Sequence, residues 1–131
     1  MYFLIMKTKS LTSLLLLTFL FFCINFSTVF ADDFQDGVNA FNRGDYKEAV
    51  KRYRLLAEQG DENAQFNLGV MYANEQGVKQ DYKEAVKWFR LSAEQGIGLA
   101  QTSLGGMYHK GLGIQQNYKE ALRLYRLAAE Q

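Results

Sequence analysis

Catalysis, metal binding and covalent chemistry need side chains that carry a proton, a metal ion or a nucleophilic lone pair, and this chain offers few. His109 is the only histidine and Cys23 the only cysteine. No pair of imidazoles can clamp a metal, and with so few nitrogen and sulfur donors zinc would fall to carboxylates, a poor set for it. As a lone base, His109 has Lys110 beside it and no acid nearby in sequence, so it reads as a plain surface histidine. Ser92 and Ser103 lack any local motif that would activate a hydroxyl. Gly111-x-Gly113 lacks both the third glycine and the preceding strand of a phosphate-cradling loop. The repeated acids Glu48, Glu84 and Glu120 are explained by helix capping. The expectation is a non-enzymatic protein with no metal and no cofactor.

Charge offers a second kind of chemistry. Lys47, Lys51 and Arg54 recur as Lys83, Lys87 and Arg90, then as Lys119, Arg123 and Arg126. Positions i, i+4 and i+7 share one helical face, so the three triplets form a basic strip. It suits an anionic glycan, lipid headgroups or an acidic partner. The plainer alternative is a solvated outer face on which Arg54–Glu58, Arg90–Glu94 and Arg126–Glu130 pair one turn apart, for only ~0.2–0.5 kcal/mol each.

These residues are positioned by a repeat. Asp45-Tyr46-Lys47-Glu48-Ala49 returns as Asp81-Tyr82-Lys83-Glu84-Ala85 and as Asn117-Tyr118-Lys119-Glu120-Ala121, at a spacing of 36 residues. Such self-similarity marks a repeat array, in which each unit buries its apolar face against its neighbours. Each unit resolves into two helices. The second begins at Asp45, Asp81 or Asn117, with a glutamate three places on to complete a capping box. Tyr46, Ala49, Val50, Tyr53 and Ala57 make one apolar stripe, repeated as Tyr82, Ala85, Val86, Phe89 and Ala93, and as Tyr118, Ala121, Leu122, Tyr125 and Ala129. Gly60 and Gly96 suit left-handed C-cap positions. The first helices match through Ala64, Leu68, Gly69 and Tyr72 against Ala100, Leu104, Gly105 and Tyr108, with glycine admitting a close partner. Gly77 and Gly113 stand where the connecting loops need positive φ. The first unit has a loop about five residues shorter and an apolar stripe of Phe34, Val38 and Phe41; it reads as a capping variant.

The pattern Ala64-x3-Leu68-Gly69-x2-Tyr72-x4-Gly77-Val78-x2-Asp81-Tyr82-x2-Ala85-x2-Trp88-Phe89-x3-Ala93-x2-Gly96 resembles the Sel1-like repeat, a longer-looped relative of the tetratricopeptide repeat. The third unit fits better in its loop, through Gly111 and Gly113, but carries Leu124 in place of the tryptophan. The first unit is closer to a tetratricopeptide unit. The resemblance implies an all-α fold: an α/α superhelical solenoid of three helix-turn-helix repeats, with the first helices on the concave side. It implies a scaffold for protein or peptide ligands, often exported in bacteria, and no shared enzymatic activity. If the first helices pack as in such relatives, the groove is faced by Asn63, Phe66, Val70 and Asn74, then by Leu99, Thr102, Gly106 and Lys110, with Ala73 and His109 adjoining. Asn42 and Arg43 are weaker equivalents. Phe66 and Val70 either meet a ligand there or pack between units.

The residues before the array have a different character. Lys7 and Lys9 precede an apolar run from Leu11 to Phe22, and Val29-Phe30-Ala31 offers small residues for a signal peptidase. The expectation is a signal peptide over 1–31, cleaved before Asp32, and a repeat domain over 32–131 divided as 32–60, 61–96 and 97–131. An uncleaved leader is the one route to the membrane, and its run is short of the ~20 residues of a span. Bulky Phe21 and Phe22 argue against lipidation at Cys23, and Met6 is an alternative start. Without Lys7, Lys9 and Cys23, thirteen of the fifteen cations face fourteen acids and no cysteine remains. A near-neutral domain is not built for nucleic acid. The reading is therefore an exported adaptor for a protein or peptide, in the periplasm or outside the cell. The alternative is an envelope structural or glycan-associated protein using the basic strip. An outward face on the last helix, with Leu124, Leu127 and Ala128 exposed, would mean that the chain pairs end to end as a homodimer, that it is a fragment of a longer array, or that this face is the partner site.

Overall fold

The structure, a computed structural model, describes residues 12–20 and 32–131. The chain divides into two compact units, Met1–Asp32 and Asp33–Gln131. In the first, residues 12–20 are helical, and the Thr18 hydroxyl donates to the Leu15 carbonyl at 2.9 Å. Its side chains Leu14 to Leu17, Phe19 and Leu20 are exposed. No helix among the described residues is long and apolar enough to cross a membrane. Lys7, Lys9, Cys23 and the proposed cleavage site at 29–31 lie outside the described residues.

The second unit opens within α1, helical over 32–42, and continues through α2 (Tyr46–Glu58), α3 (Glu62–Ala73), α4 (Tyr82–Glu94), α5 (Gly98–Lys110) and α6 (Tyr118–Ala129). From α2 onward each helix packs on the next in sequence, both within a repeat and between repeats. No strand occurs among the described residues, so the chain is an all-α repeat solenoid.

Local chemistry sets the helix ends. Asp45, Asp81 and Asn117 accept backbone N–H bonds from Glu48, Glu84 and Glu120. The reciprocal half of the expected capping box is replaced. The cap N–H groups of Asp45, Asp81 and Asn117 donate instead to the carbonyls of Ala40, Tyr72 and Tyr108 on the preceding helix. That frees the three glutamates for basic side chains. At the other end, Gly60 N–H meets Ala57 and Asp61 N–H meets Leu56, a Schellman closure that requires the left-handed φ of +99° at Gly60. Gly96 and Ile97 repeat it on Ala93 and Ser92.

Glycines on the first helices receive aromatic rings from the second. A Cβ on Gly37 would lie 2.8 Å from the Tyr53 ring, one on Gly69 2.7 Å from Phe89, and one on Gly105 2.8 Å from Tyr125. This fixes the register of the first unit, with Gly37 matching Gly69 and Ala40 matching Tyr72. Five residues separate Ala40 from Asp45 and nine separate Tyr72 from Asp81, so the first loop is shorter by four residues, not five. On α1, Gly37 and Ala40 are the buried positions, whereas Phe34, Val38 and Phe41 are only half-buried.

Two polar clamps tie the units. Gln65, buried, donates to the Ala57 carbonyl at 3.2 Å and accepts from Gln95 at 2.8 Å. Gln101 donates to Ala93 at 3.3 Å and accepts from Gln131 at 3.0 Å. The buried Ser92 hydroxyl donates to the Glu62 carbonyl at 2.8 Å. One position varies with its surroundings. Arg52 bonds Glu48 and Asp33, while its equivalents Trp88 and Leu124 are buried.

The last helix departs from the expected stripe. Ala121 is buried, but Tyr118, Leu122, Tyr125 and Ala129 are exposed. Leu124, expected to be exposed, is buried because it turns into the cluster with Leu104 and Met107; Leu127 is exposed and Ala128 intermediate.

Candidate partner-binding surfaces

Along α3 and α5, Asn63, Asn74, Thr102, His109 and Lys110 are exposed, as helical periodicity places them opposite the buried Ala64, Leu68, Ala100 and Leu104. Leu99 is also exposed. Phe66 and Val70 are half-buried. The Phe66 ring lies 5.9 Å from that of Phe89, and both residues pack against the Val86–Phe89–Leu104 core. Their inner edges thus serve inter-helix packing while part of each faces water. Thr102 replaces Phe66 in the next unit, and its hydroxyl donates to Gly98 at 3.0 Å. His109 stands edge-on to the Tyr118 ring at 5.1 Å, as Phe41 does to Tyr46 at 5.2 Å. The only histidine occupies an aromatic's place, and its carbonyl accepts from Gln116. On Tyr53, burial raises the hydroxyl's pKa against the opposing pull of a hydrogen bond with Asn67.

The basic strip is partly neutralised within the protein. Lys51 pairs with Glu48 at 3.8 Å, Lys87 with Glu84 at 3.4 Å, and Arg123 with Glu120 at 2.7 Å. These acids stand three residues before the cation, not four after it. Arg54 donates instead to the Tyr72 hydroxyl at 2.7 Å, and Arg90 to that of Tyr108 at 3.2 Å. Both tyrosines sit on the next unit's first helix, so these bonds hold neighbours together where Glu58 and Glu94 would not. Lys47, Lys83, Lys119 and Arg126 have no acid within ion-pair distance among the described residues. Lys87 also stands 4.7 Å from the Trp88 ring. The hydrogen bond from Arg52 holds the Glu48 carboxyl below its ordinary range, and the one from Arg123 does the same to Glu120.

A row that sequence reasoning missed runs beside the cations: Leu55, Leu91 and Leu127, all exposed and 36 residues apart. The spacing was the available signal, as was the 18-residue offset from Arg54 to Tyr72 and from Arg90 to Tyr108. A cleft of ≈ 570 Å³ lies over α2, between Lys47, Arg54, Leu55 and the Gly77–Val78 loop. Another of ≈ 670 Å³ lies on α6, beside Leu122, Arg123, Arg126 and Leu127. No group of three or more His, Cys, Asp or Glu side chains capable of holding a metal occurs among the described residues. What this geometry offers among the described residues is exposed surface on both the first and the second helices.

The Sel1 repeat family model matches residues 35–61, 63–97 and 98–131. Among solved structures, a protective antigen of uropathogenic Escherichia coli with an SLR fold is 40% identical, at a TM-score of 0.76, over 80% of this chain and 23% of that one. A Sel1 repeat protein from Oxalobacter formigenes is 32% identical, at a TM-score of 0.64, over 65% of this chain and 25% of that one. This chain therefore spans about a quarter of either protein. Helicobacter pylori cysteine rich protein B shares the fold, at 18% identity and a TM-score of 0.62, over 77% of this chain and 86% of that one. No curated protein is similar enough to count as a match.

Proposed function

The chain belongs to the Sel1 repeat family, and from that premise we propose that it is an exported adaptor that binds a protein or peptide segment on its first-helix face. Sel1 repeat proteins are generally protein-interaction scaffolds, and their fold is typically non-enzymatic. The observation that carries the reading is the character of the α3 and α5 surface. Half-buried Phe66 and Val70 share α3 with exposed Asn63 and Asn74, and α5 carries exposed Thr102 and Lys110, so apolar anchors stand on helices that are otherwise polar toward solvent. Binding is burial on a surface held in shape by the repeat, with no bond made or broken. His109, in an aromatic's place, shapes that surface.

Export rests on the leader read in residues 1–31 and places the domain in the periplasm or outside the cell. Amino-terminal sequencing of the protein from fractionated cells should begin at Asp32; an intact leader on a cytoplasmic protein would refute export.

The groove is tested by placing a photo-crosslinking amino acid at Phe66 or Lys110 in the native host. Adducts from these positions, absent from a control at Leu55, support the reading. Adducts at Leu55 alone would move the partner to the second-helix face. That second reading, an anionic glycan or acidic partner on the strip, is favoured by the four unpaired cations beside the exposed leucine row. Strip binding falls steeply with salt, whereas groove binding changes little.

A further inference from the structure

The second helices carry an apolar feature that the fold does not use. α4 belongs to the middle repeat and packs on both α3 and α5, and it still leaves Leu91 37% exposed. Leu55 is 50% exposed at the same place on α2, and Leu127 follows on α6. The exposure belongs to the position in the repeat, because a leucine two residues before buried Ala57 or Ala93 points to the opposite side of its helix. Lys51 and Lys87 stand one turn before these leucines, on the same face. Lys47 and Lys83 stand one turn earlier, and neither has an acid within ion-pair distance among the described residues. The faces of neighbouring second helices also meet: Arg90 and Glu94 of α4 line one cleft with Glu120, Arg123 and Leu127 of α6. Basic and leucine columns therefore alternate across this outer side. Its acids are occupied or set apart. Glu48 and Glu84 pair with Lys51 and Lys87, Asp45 and Asp81 accept cap bonds, and Glu58 and Glu94 lie beyond the leucines at the carboxyl-terminal ends.

We propose that this outer side of the second helices lies against an anionic lipid bilayer, with the lysines on headgroup phosphates and the leucines among the upper acyl chains. Binding of a helical surface to a bilayer grows with buried apolar area and with attraction to anionic lipid, and here the two features occur in register. Each lysine reaches a phosphate while its apolar stem lies beside leucine. A hydrated anionic glycan would engage the lysines and leave the leucines in water. The leucines are also spread over three helices, which suits a broad surface better than a single peptide segment. The inference rests on the strip reading and narrows it to lipid, and it leaves the α3 and α5 surface to a protein partner.

Residues 33–131 form a compact unit of their own, so they are assayed without the exposed apolar side chains of residues 12–20, which would bind lipid by themselves. Co-sedimentation with phosphatidylcholine vesicles, with and without phosphatidylglycerol, measures the affinity. The expected result is binding that requires phosphatidylglycerol and weakens with added salt. Lys47→Glu with Lys83→Glu should weaken it about tenfold or more, and Leu55→Asp with Leu91→Asp by a similar factor. Residues 33–131 contain no cysteine, so a single introduced one can carry the environment-sensitive dye nitrobenzoxadiazole. The dye at Leu91→Cys should brighten and shift to the blue on vesicles, and the dye at Asn63→Cys on α3 should not. Circular dichroism checks the variants, and the two dye positions decide the matter if the charge or aspartate variants fail to fold. Equal binding without phosphatidylglycerol, no binding, or a dye response at position 63 alone overturns the proposal. Binding of heparin that Lys47→Glu with Lys83→Glu abolishes, without lipid binding, overturns it in favour of a soluble anion and leaves the strip reading standing.

Discussion

Gly77 presses against the carbonyl of Tyr46 so closely that no side chain fits between them, and it does so at a φ of +74°. The contact joins the loop of one repeat to the first turn of the preceding second helix, and Gly113 makes the same contact with Tyr82. These two glycines therefore set the spacing of the solenoid, beyond shaping a turn.

Replacing Gly77 with alanine should be far more costly than replacing Gly60. At Gly60 the added Cβ meets open space, so only left-handed strain of about 1–2 kcal/mol applies. At Gly77 the same strain is joined by a clash with backbone, which cannot rotate away, for about 2–5 kcal/mol in total. Urea denaturation of both variants checks the order; equal losses would show that the loop gives way at little cost.

Gly69→Ala and Gly105→Ala make a second contrast. Alanine favours the helix by ~1 kcal/mol over glycine, but at Gly69 its Cβ meets the buried Phe89 ring, and overpacking there costs about 1–3 kcal/mol. Tyr125, facing Gly105, is exposed enough to turn aside, which leaves the Ala121 carbonyl at 3.3 Å as the milder obstacle. Thermal melts should show Gly69→Ala the less stable of the two.

Much of this architecture was legible because it depends on near neighbours in sequence. A cap residue, a glycine after the last turn and a period of 36 residues are local, so the starts of α2, α4 and α6 follow from Asp45, Asp81 and Asn117, and the ends of α2 and α4 from Gly60 and Gly96. What was missed is non-local. Gln65 is polar and looks like a surface residue until Ala57 and Gln95 converge on it. Arg54 has an acid one turn away, yet it bonds Tyr72 across the unit boundary. Leu122 and Leu124 have the same residue type, and only the surrounding helices decide which is buried. The exposure of Asn63, Asn74, Thr102, His109 and Lys110 followed from periodicity, whereas the half-burial of Phe66 depends on Phe89, which lies in the next helix.

The glutamine clamp yields its own prediction. Gln65→Met preserves the volume but leaves the buried Ala57 carbonyl without its side-chain donor and Gln95 with only Gly60 to bond. The cost should be about 1–3 kcal/mol. Gln101→Met should behave alike, and the exposed Gln116→Met should stay within about 0.5 kcal/mol of wild type. Chemical denaturation midpoints test this, and a neutral Gln65→Met would mean that the clamp does not hold the units together.

Acid should loosen the same array through its glutamates. Arg123 donates two hydrogen bonds to Glu120, at 2.9 and 2.7 Å, and holds the carboxyl below its ordinary value of 4.5; Arg52 does this to Glu48. A carboxylate whose pKa is lower in the folded state stabilises the fold above its unfolded pKa, and that contribution is lost as pH falls through the folded one. Stability from these pairs should therefore be level from neutral pH down to about 5 and decline below about 4.5. Exposure keeps the effect small and salt-sensitive. In urea melts at low ionic strength, Glu120→Gln should lower the midpoint at pH 7 and lose part of the acid-induced decline, approaching wild type near pH 3. An undiminished decline in Glu120→Gln would place the acid sensitivity in other groups.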